Sequence, residues 1–157
     1  MRVLLQRVIS ARVRVAGEVV GEIGPGLLVF LGVAEGDGLE EAEGLATRLP
    51  RLRLFADSEG RSNLSLLDTG GEALVISQFT LCADLTGGNR PSFTRAAPPE
   101  LADRLYRHFL ACLAAAGPRV ATGRFGASMQ VELVNDGPAT YIVDSRPPKG
   151  TPNDHSN

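Results

Sequence analysis

Leu27-Leu28-Val29-Phe30-Leu31-Gly32-Val33-Ala34 is an unbroken apolar run, and its reading decides the fold. It is too short to cross a membrane, which takes about 20 apolar residues, and long enough for a strand. A strand that is apolar on both faces must be covered on both, so this run belongs at the centre of a sheet. On its N-terminal side, Gly24-Pro25-Gly26 is turn chemistry, Glu18 to Ile23 is a short strand, and Gly17 marks another turn. Val3 to Val15 reads as a long strand or a bent pair. Its end, Ala11-Arg12-Val13-Arg14-Val15, alternates with period two, as a half-buried strand does.

On the C-terminal side, Gly36-Asp37-Gly38 interrupts the pattern. Ala42, Leu45, Ala46 and Leu49 then fall on one helical stripe, which Pro50 ends because it has no N–H for the i−4 bond. Leu52 to Phe55 reads as a short strand and Ser58 to Gly71 as turns. Ala73 to Gln78 is a strand running straight into Phe79-Thr80-Leu81, and Asp84 to Ala97 is a loop. Pro98-Pro99-Glu100 opens the clearest helix, with Leu101, Leu105, Phe109, Cys112, Leu113 and Ala116 on one stripe and Gly117-Pro118 as the stop. Arg119–Arg124, Met129–Asn135 and Ala139–Asp144 complete the strands. The order β-β-β-α-β-β-α-β-β-β implies a mixed α/β fold, a β-rich sheet or open barrel flanked by two helices. Residues 1–145 form a single domain, and 146–157, ending PPKGTPNDHSN, read as a flexible tail that cannot pack a core.

The rare residues exclude much of enzymology. Of the 16 basic residues only Lys149 is lysine, and it lies in the tail, so there is no P-loop lysine or catalytic Schiff base. The 2 Cys and 2 His cannot build a structural zinc site. Cys82 and Cys112 fit a reduced thiol pair in a cytoplasmic protein. His155 is in the tail, and His108 sits beside the helical stripe in a surface or boundary role, so no histidine is placed to activate a nucleophile. The net charge of −2 advertises neither DNA nor an anionic membrane. The arginines are uneven, however: Arg2, Arg7, Arg12 and Arg14 all precede the first acid, Glu18.

Two stretches carry polar groups where the pattern does not demand them. Ser77-Gln78-Phe79-Thr80-Leu81-Cys82-Ala83 presents two hydroxyls and an amide at the end of an apolar strand. Asn135-Asp136-Gly137-Pro138-Ala139-Thr140 lies between two strands. Each has a plain reading, the first as a strand end that caps the next turn, the second as a hairpin turn. Together, however, they resemble the S-Q-x-T-L-x-A and N-x-G-P-V-T signatures of the D-aminoacyl-tRNA deacylases. The opening strands, NLSLLDTGGEALVISQFTL, NRPSF at 89–93, AAPPE at 96–100 and TGRFGASMQVELVNDGP at 122–138 are similar to that family's blocks in the same order, over residues 1–145. Ala139 stands where the motif usually has Val, Pro50 interrupts the first helix, and the tail has no counterpart.

The resemblance implies a homodimeric hydrolase that needs no cofactor or metal and cleaves the ester joining a D-amino acid to the tRNA's terminal ribose. Ser77, Gln78, Phe79 and Thr80 line the site. Gly137-Pro138, a cis peptide from the partner subunit, receives the substrate's α-ammonium on its carbonyls and excludes an L side chain by collision. Glycine has nothing to exclude, so glycyl-tRNA(Ala) is also a substrate. Backbone N–H groups near Phe79 and Thr80 are the oxyanion donors, and attack uses either Thr80 or the tRNA's own 2′-OH. Phe79, Phe125 and Met129 form a wall for the terminal adenosine, with simple core packing the competing role for Phe125 and Met129. Arg7 and Arg90, with Arg2, Arg12 and Arg14, are candidate phosphate contacts. The rival readings are an L-specific editing domain of related fold and a non-catalytic RNA-binding domain.

Overall fold

A computed structural model describes residues 1–146; the rest of the expected tail, 147–157, lies outside the described residues. The chain begins with β1 (Arg2–Val15), β2 (Glu18–Ile23) and β3 (Gly26–Gly32), followed by α1 (Leu39–Arg48). A single 3₁₀ turn, Leu49–Arg51, follows at Pro50, the expected helix stop. The small hairpin of β4 (Phe55–Ala56) and β5 (Ser62–Leu64) and the one-turn helix α2 (Leu66–Thr69) lead into β6 (Glu72–Ser77), then α3 (Pro99–Ala115), β7 (Val120–Thr122) and β8 (Gln130–Asp144).

β3 occupies the centre, as its apolar run requires. It pairs antiparallel with β1 and parallel with β6, and β6 pairs parallel with β7. Both faces of β3 are covered. Leu27, Val29 and Leu31 pack with Val3 and Leu5 beneath Leu45 of α1 and Leu105, Phe109 and Leu113 of α3. Leu28 faces the other way, into a second cluster with Val8, Ala11, Val13, Ile23, Leu74 and Ile76. Each fully buried Leu or Phe contributes about 1.5–3 kcal/mol over leaving it exposed. The parallel pair β3–β6 comes so close at Gly26 that a Cβ there would collide with the Glu72 backbone. At the far end Gly21 of β2 lies against the Thr122 carbonyl of β7, so the sheet curls into a nearly closed barrel.

Four local expectations are corrected. The region 58–71 is not all turn, because Ser65 caps α2, accepting from the Asp68 N–H while Asp68 accepts from the Ser65 N–H. The short strand expected over 52–55 shrinks to Phe55–Ala56. Cys112 is half-buried rather than core, and the buried face of α3 runs through Ala102 and Tyr106 instead.

The fourth correction matters most. Asn135–Thr140 is not a hairpin turn, because both halves of β8 pair with the same strand, β1: Val131↔Val13 and Val8↔Asn135 on one side, Gln6↔Thr140 and Arg2↔Asp144 on the other. Between the two halves β1 advances by Arg7 alone while β8 passes through Asp136, Gly137, Pro138 and Ala139. The segment is an enlarged bulge that pushes Asp136-Gly137-Pro138 outward, with Asp136, Gly137 and Pro138 exposed and Ala139 buried.

Candidate active site

β6 ends at Ser77, the last residue in register with β3. Gln78 keeps one sheet bond, donating its N–H to the Leu31 carbonyl at 2.8 Å. Its backbone then turns away, and Phe79–Cys82 form a single 3₁₀ turn rather than the straight continuation expected. The first N–H groups of such a turn, those of Phe79 and Thr80, have no acceptor within it. The turn also leaves Phe79 exposed, at 55%.

Beside this strand end lies a cavity of about 690 Å³. Ser77, Gln78 and Phe79 form one wall, Phe93, Thr94 and Ala96 to Pro98 a second, Ala102 and Tyr106 of α3 a third, and Phe125, Ala127 and Met129 a fourth. Ring contacts order these walls. Phe79 meets Phe93 edge-on with centroids 5.0 Å apart, and Tyr106 lies 6.0 Å from Phe125. The loop holding Phe125 is closed by an Ala127 N–H bond to the Arg124 carbonyl at 3.2 Å, with Gly126 at φ 76°.

No lining residue carries a charge. The one titratable group is Tyr106, and burial pushes its phenol up to about 12. Its hydroxyl donates to the Val75 carbonyl at 2.9 Å. It is therefore a fixed donor, not a base at neutral pH. Thr80 is exposed beside the cavity, and its Oγ1 accepts from the Gln78 side-chain amide, which cannot remove a proton.

The bulge is held separately. Arg7 Nη1 donates to the Leu54 carbonyl at 2.7 Å and Nε to the Asp136 carbonyl at 3.0 Å, with Asp136 Oδ2 3.1 Å away. Asn135 Nδ2 bridges the carbonyls of Arg7 and Ala139 at 3.0 and 3.1 Å, and Gln6 Nε2 donates to Thr140 Oγ1 at 3.1 Å. The Gly137–Pro138 peptide is cis. Neither residue lines the cavity of its own chain.

The structure thus gathers Ser77, Gln78, Phe79, Phe125 and Met129 around one space, sets Thr80 at its edge, and places Gly137 and Pro138 elsewhere on the surface. The N-terminal arginines are engaged within the fold. Arg2 pairs with Asp144 at 2.7 Å, and Arg12 and Arg14 with Glu132 at 3.3 and 2.7 Å. Arg7, only 16% exposed in its side chain, anchors the bulge. Arg90 is exposed and, among the described residues, has no ion-pair partner. Sequence reasoning passed over Phe93 and Tyr106. The first lies in the quoted NRPSF block and could have been found there; the second reads as one more helix aromatic. His108 lines none of these walls; its Nε2 is 2.9 Å from Glu43 Oε1 and 3.6 Å from Cys112 Sγ.

Residues 4–144 match the family described as D-Tyr-tRNA(Tyr) deacylase. A D-aminoacyl-tRNA deacylase from Cereibacter sphaeroides is 57% identical over 145 residues, covering 92% of this chain and 100% of the relative. One from Chloroflexus aurantiacus is 59% identical over 145 residues, covering 92% and 91%. The solved structure of a c-Myc DNA unwinding element binding protein superposes with TM-score 0.88 at 39% identity, covering 94% of this chain and 100% of that one. A probable eukaryotic D-amino acid tRNA deacylase shares the fold, with TM-score 0.77 at 19% identity over 91% of this chain and 98% of that one.

Proposed function

The chain belongs to the D-Tyr-tRNA(Tyr) deacylase family, and on that premise we propose how its residues divide the work of hydrolysing D-aminoacyl-tRNA. The observation that carries the reading is the uncharged cavity at the end of β6, walled by Ser77, Gln78 and Phe79. An ester can be cleaved there only if the nucleophile's activation comes from outside the lining side chains. The tRNA's 2′-OH, adjacent to the ester, supplies that help, while the Phe79 and Thr80 N–H groups receive the developing oxyanion. Losing one such donor costs about 2.7–4 kcal/mol of transition-state stabilisation. Thr80 as the attacking group is the weaker mechanism, because its hydrogen-bond partner is an amide. A tRNA ending in 2′-deoxyadenosine separates the two: slow cleavage supports the 2′-OH, normal cleavage supports Thr80.

The terminal adenosine stacks on Phe79, Phe125 and Met129. The α-ammonium meets Gly137-Pro138 of a second copy, whose outward bulge covers the neighbouring cavity and leaves room for a D side chain or for glycine, including glycyl-tRNA(Ala). The homodimer this requires uses the apolar surface around β8, where Ile9, Val134 and Ile142 are 56%, 52% and 61% exposed. Mixing a Phe79→Ala subunit with a Pro138→Ala subunit should restore activity, since each heterodimer then holds one intact site; no restoration would show that the site is not shared. Arg7 supports this site through the bulge, and Arg90 contacts phosphate.

No DNA partner belongs to this reading; the DNA in one related protein's name is a property of that protein. No helix among the described residues is long and apolar enough to cross a membrane, and the substrate places the enzyme in the cytoplasm. The decisive experiment compares hydrolysis of D-tyrosyl-tRNA and L-tyrosyl-tRNA. Preference for D confirms the reading, equal hydrolysis identifies an editing domain without this chirality, and binding without cleavage identifies an RNA-binding domain.

A further inference from the structure

The charge around the cavity differs from the charge of the molecule. The chain as a whole is −2, and the cavity interior is neutral. The two loop segments that supply its second and fourth walls are basic. Residues 85–97 hold Arg90 and Arg95 with no acid, and residues 123–129 hold Arg124 with no acid. Arg95 is matched by Asp84 just outside its segment, Nη2 to Oδ2 at 3.2 Å. Arg90 and Arg124 are exposed and, among the described residues, lack any ion-pair partner; Arg48, Arg51, Arg53 and Arg104 are also exposed and unpaired, but only Arg90 and Arg124 lie in these two loop segments.

Their backbones fix where each starts. Arg124 opens the turn closed by Ala127, so Phe125 enters the cavity wall while Arg124 faces solvent. Arg90 sits in the arm closed by the reciprocal bonds of Asp84 and Ser92, at 2.8 and 2.9 Å, with Phe93 on the wall just beyond. Arg124 thus directly precedes the wall residue Phe125, and Arg90 lies three residues before the wall residue Phe93, on a different wall.

Building on the deacylase reading, we propose that Arg124 and Arg90 form a two-sided phosphate clamp, holding the backbone of the tRNA's 3′ end across the mouth while the aminoacyl-adenosine occupies the cavity. The recognised chemistry is the phosphodiester, not the base. Arg124 is the new element, and it works against Arg90 because a single-stranded end held from one side can swing out of the cavity.

The clamp is tested by steady-state kinetics of D-tyrosyl-tRNA hydrolysis between low and physiological salt, for the wild type, Arg124→Gln, Arg90→Gln and Arg61→Gln. Arg61 pairs with Glu59 outside the cavity walls and serves as the control. Arg124→Gln and Arg90→Gln should each raise KM by about five- to tenfold with kcat little changed, and each should reduce the log–log salt slope by about 0.7–0.9. A phosphate-free substrate, adenosine esterified with D-tyrosine, should be cleaved equally by all four proteins. The proposal is overturned if Arg124→Gln keeps the wild-type KM and salt slope, if Arg61→Gln loses as much, or if the phosphate-free ester is equally impaired. Wild-type protein that cleaves neither substrate would instead overturn the deacylase reading, a separable result.

Discussion

α3 serves two regions of opposite character. Its first turns, through Pro99, Ala102 and Tyr106, wall the cavity, which offers no charged group. Its second half carries His108, which meets Glu43 of α1, and Cys112, which meets His108, a cluster with all the side-chain types of a nucleophilic enzyme. Yet both contacts of His108 use the same nitrogen, Nε2, so the imidazole cannot relay between acid and thiol as a catalytic histidine does. The cluster lies on no described cavity wall, while the chemically bare region has room for a nucleoside ester. Concavity and backbone groups outweigh reactive side chains in locating the site.

The comparison breaks most sharply at Phe79. Phe79→Ala should lower kcat/KM about 10- to 100-fold, the worth of one base stacked on an aromatic ring. His108→Ala and Cys112→Ala should stay within about twofold, the range of an exposed substitution. A large loss at His108 with Phe79→Ala near normal would reverse the assignment. Next in size is Arg7→Ala, which removes a charged donor from Leu54 and Asp136. It should cost about 1.5–3 kcal/mol in denaturant unfolding and speed amide exchange at residues 136–139.

Tyr106→Phe should cost about 1 kcal/mol by removing the shorter of the two hydrogen bonds to the Val75 carbonyl, the other coming from the Gly123 N–H. The pH profile of kcat should stay the same below about pH 11, since the phenol is protonated there in any case. The smallest effect belongs to a surface clip at the start of α1, off the cavity walls. Arg146 and the Gly38 N–H hold the Glu41 carboxyl down to about 2. A depressed carboxylate stabilises the fold above its ordinary range and loses that contribution as pH falls from about 4.5 towards 2. Glu41→Gln should flatten this part of the acid-stability curve, followed by the denaturation midpoint.

Much of the architecture was legible in the sequence because period and punctuation were strong. LLVFLGVA demanded cover on two faces and has it; Pro50 and Gly117-Pro118 end helices where they stand. The two motifs carried the family, and the cavity walls follow from Ser77 to Phe79. What escaped was tertiary. Asn-Asp-Gly-Pro has the composition of a turn, and only the pairing of both flanks with β1 makes it a bulge. Arg7 reads as a free cation until Leu54 and Asp136 are brought to it from 47 and 129 residues away. Phe93 gains meaning from the cavity it lines, and Arg124 from its place before the wall residue Phe125, which no local pattern encodes.

The pairing of β1 with β8 also sets a schedule. Arg2 is in register with Asp144, 142 residues later in the chain, so during synthesis β1 waits for β8. Until then one whole edge of β1, including the backbone groups of Val3, Leu5 and Val13, is without its partner. Closure of such a distant pair is slow compared with local helix formation. The nascent chain therefore spends most of its synthesis with an open apolar edge, the period in which it is most exposed to aggregation.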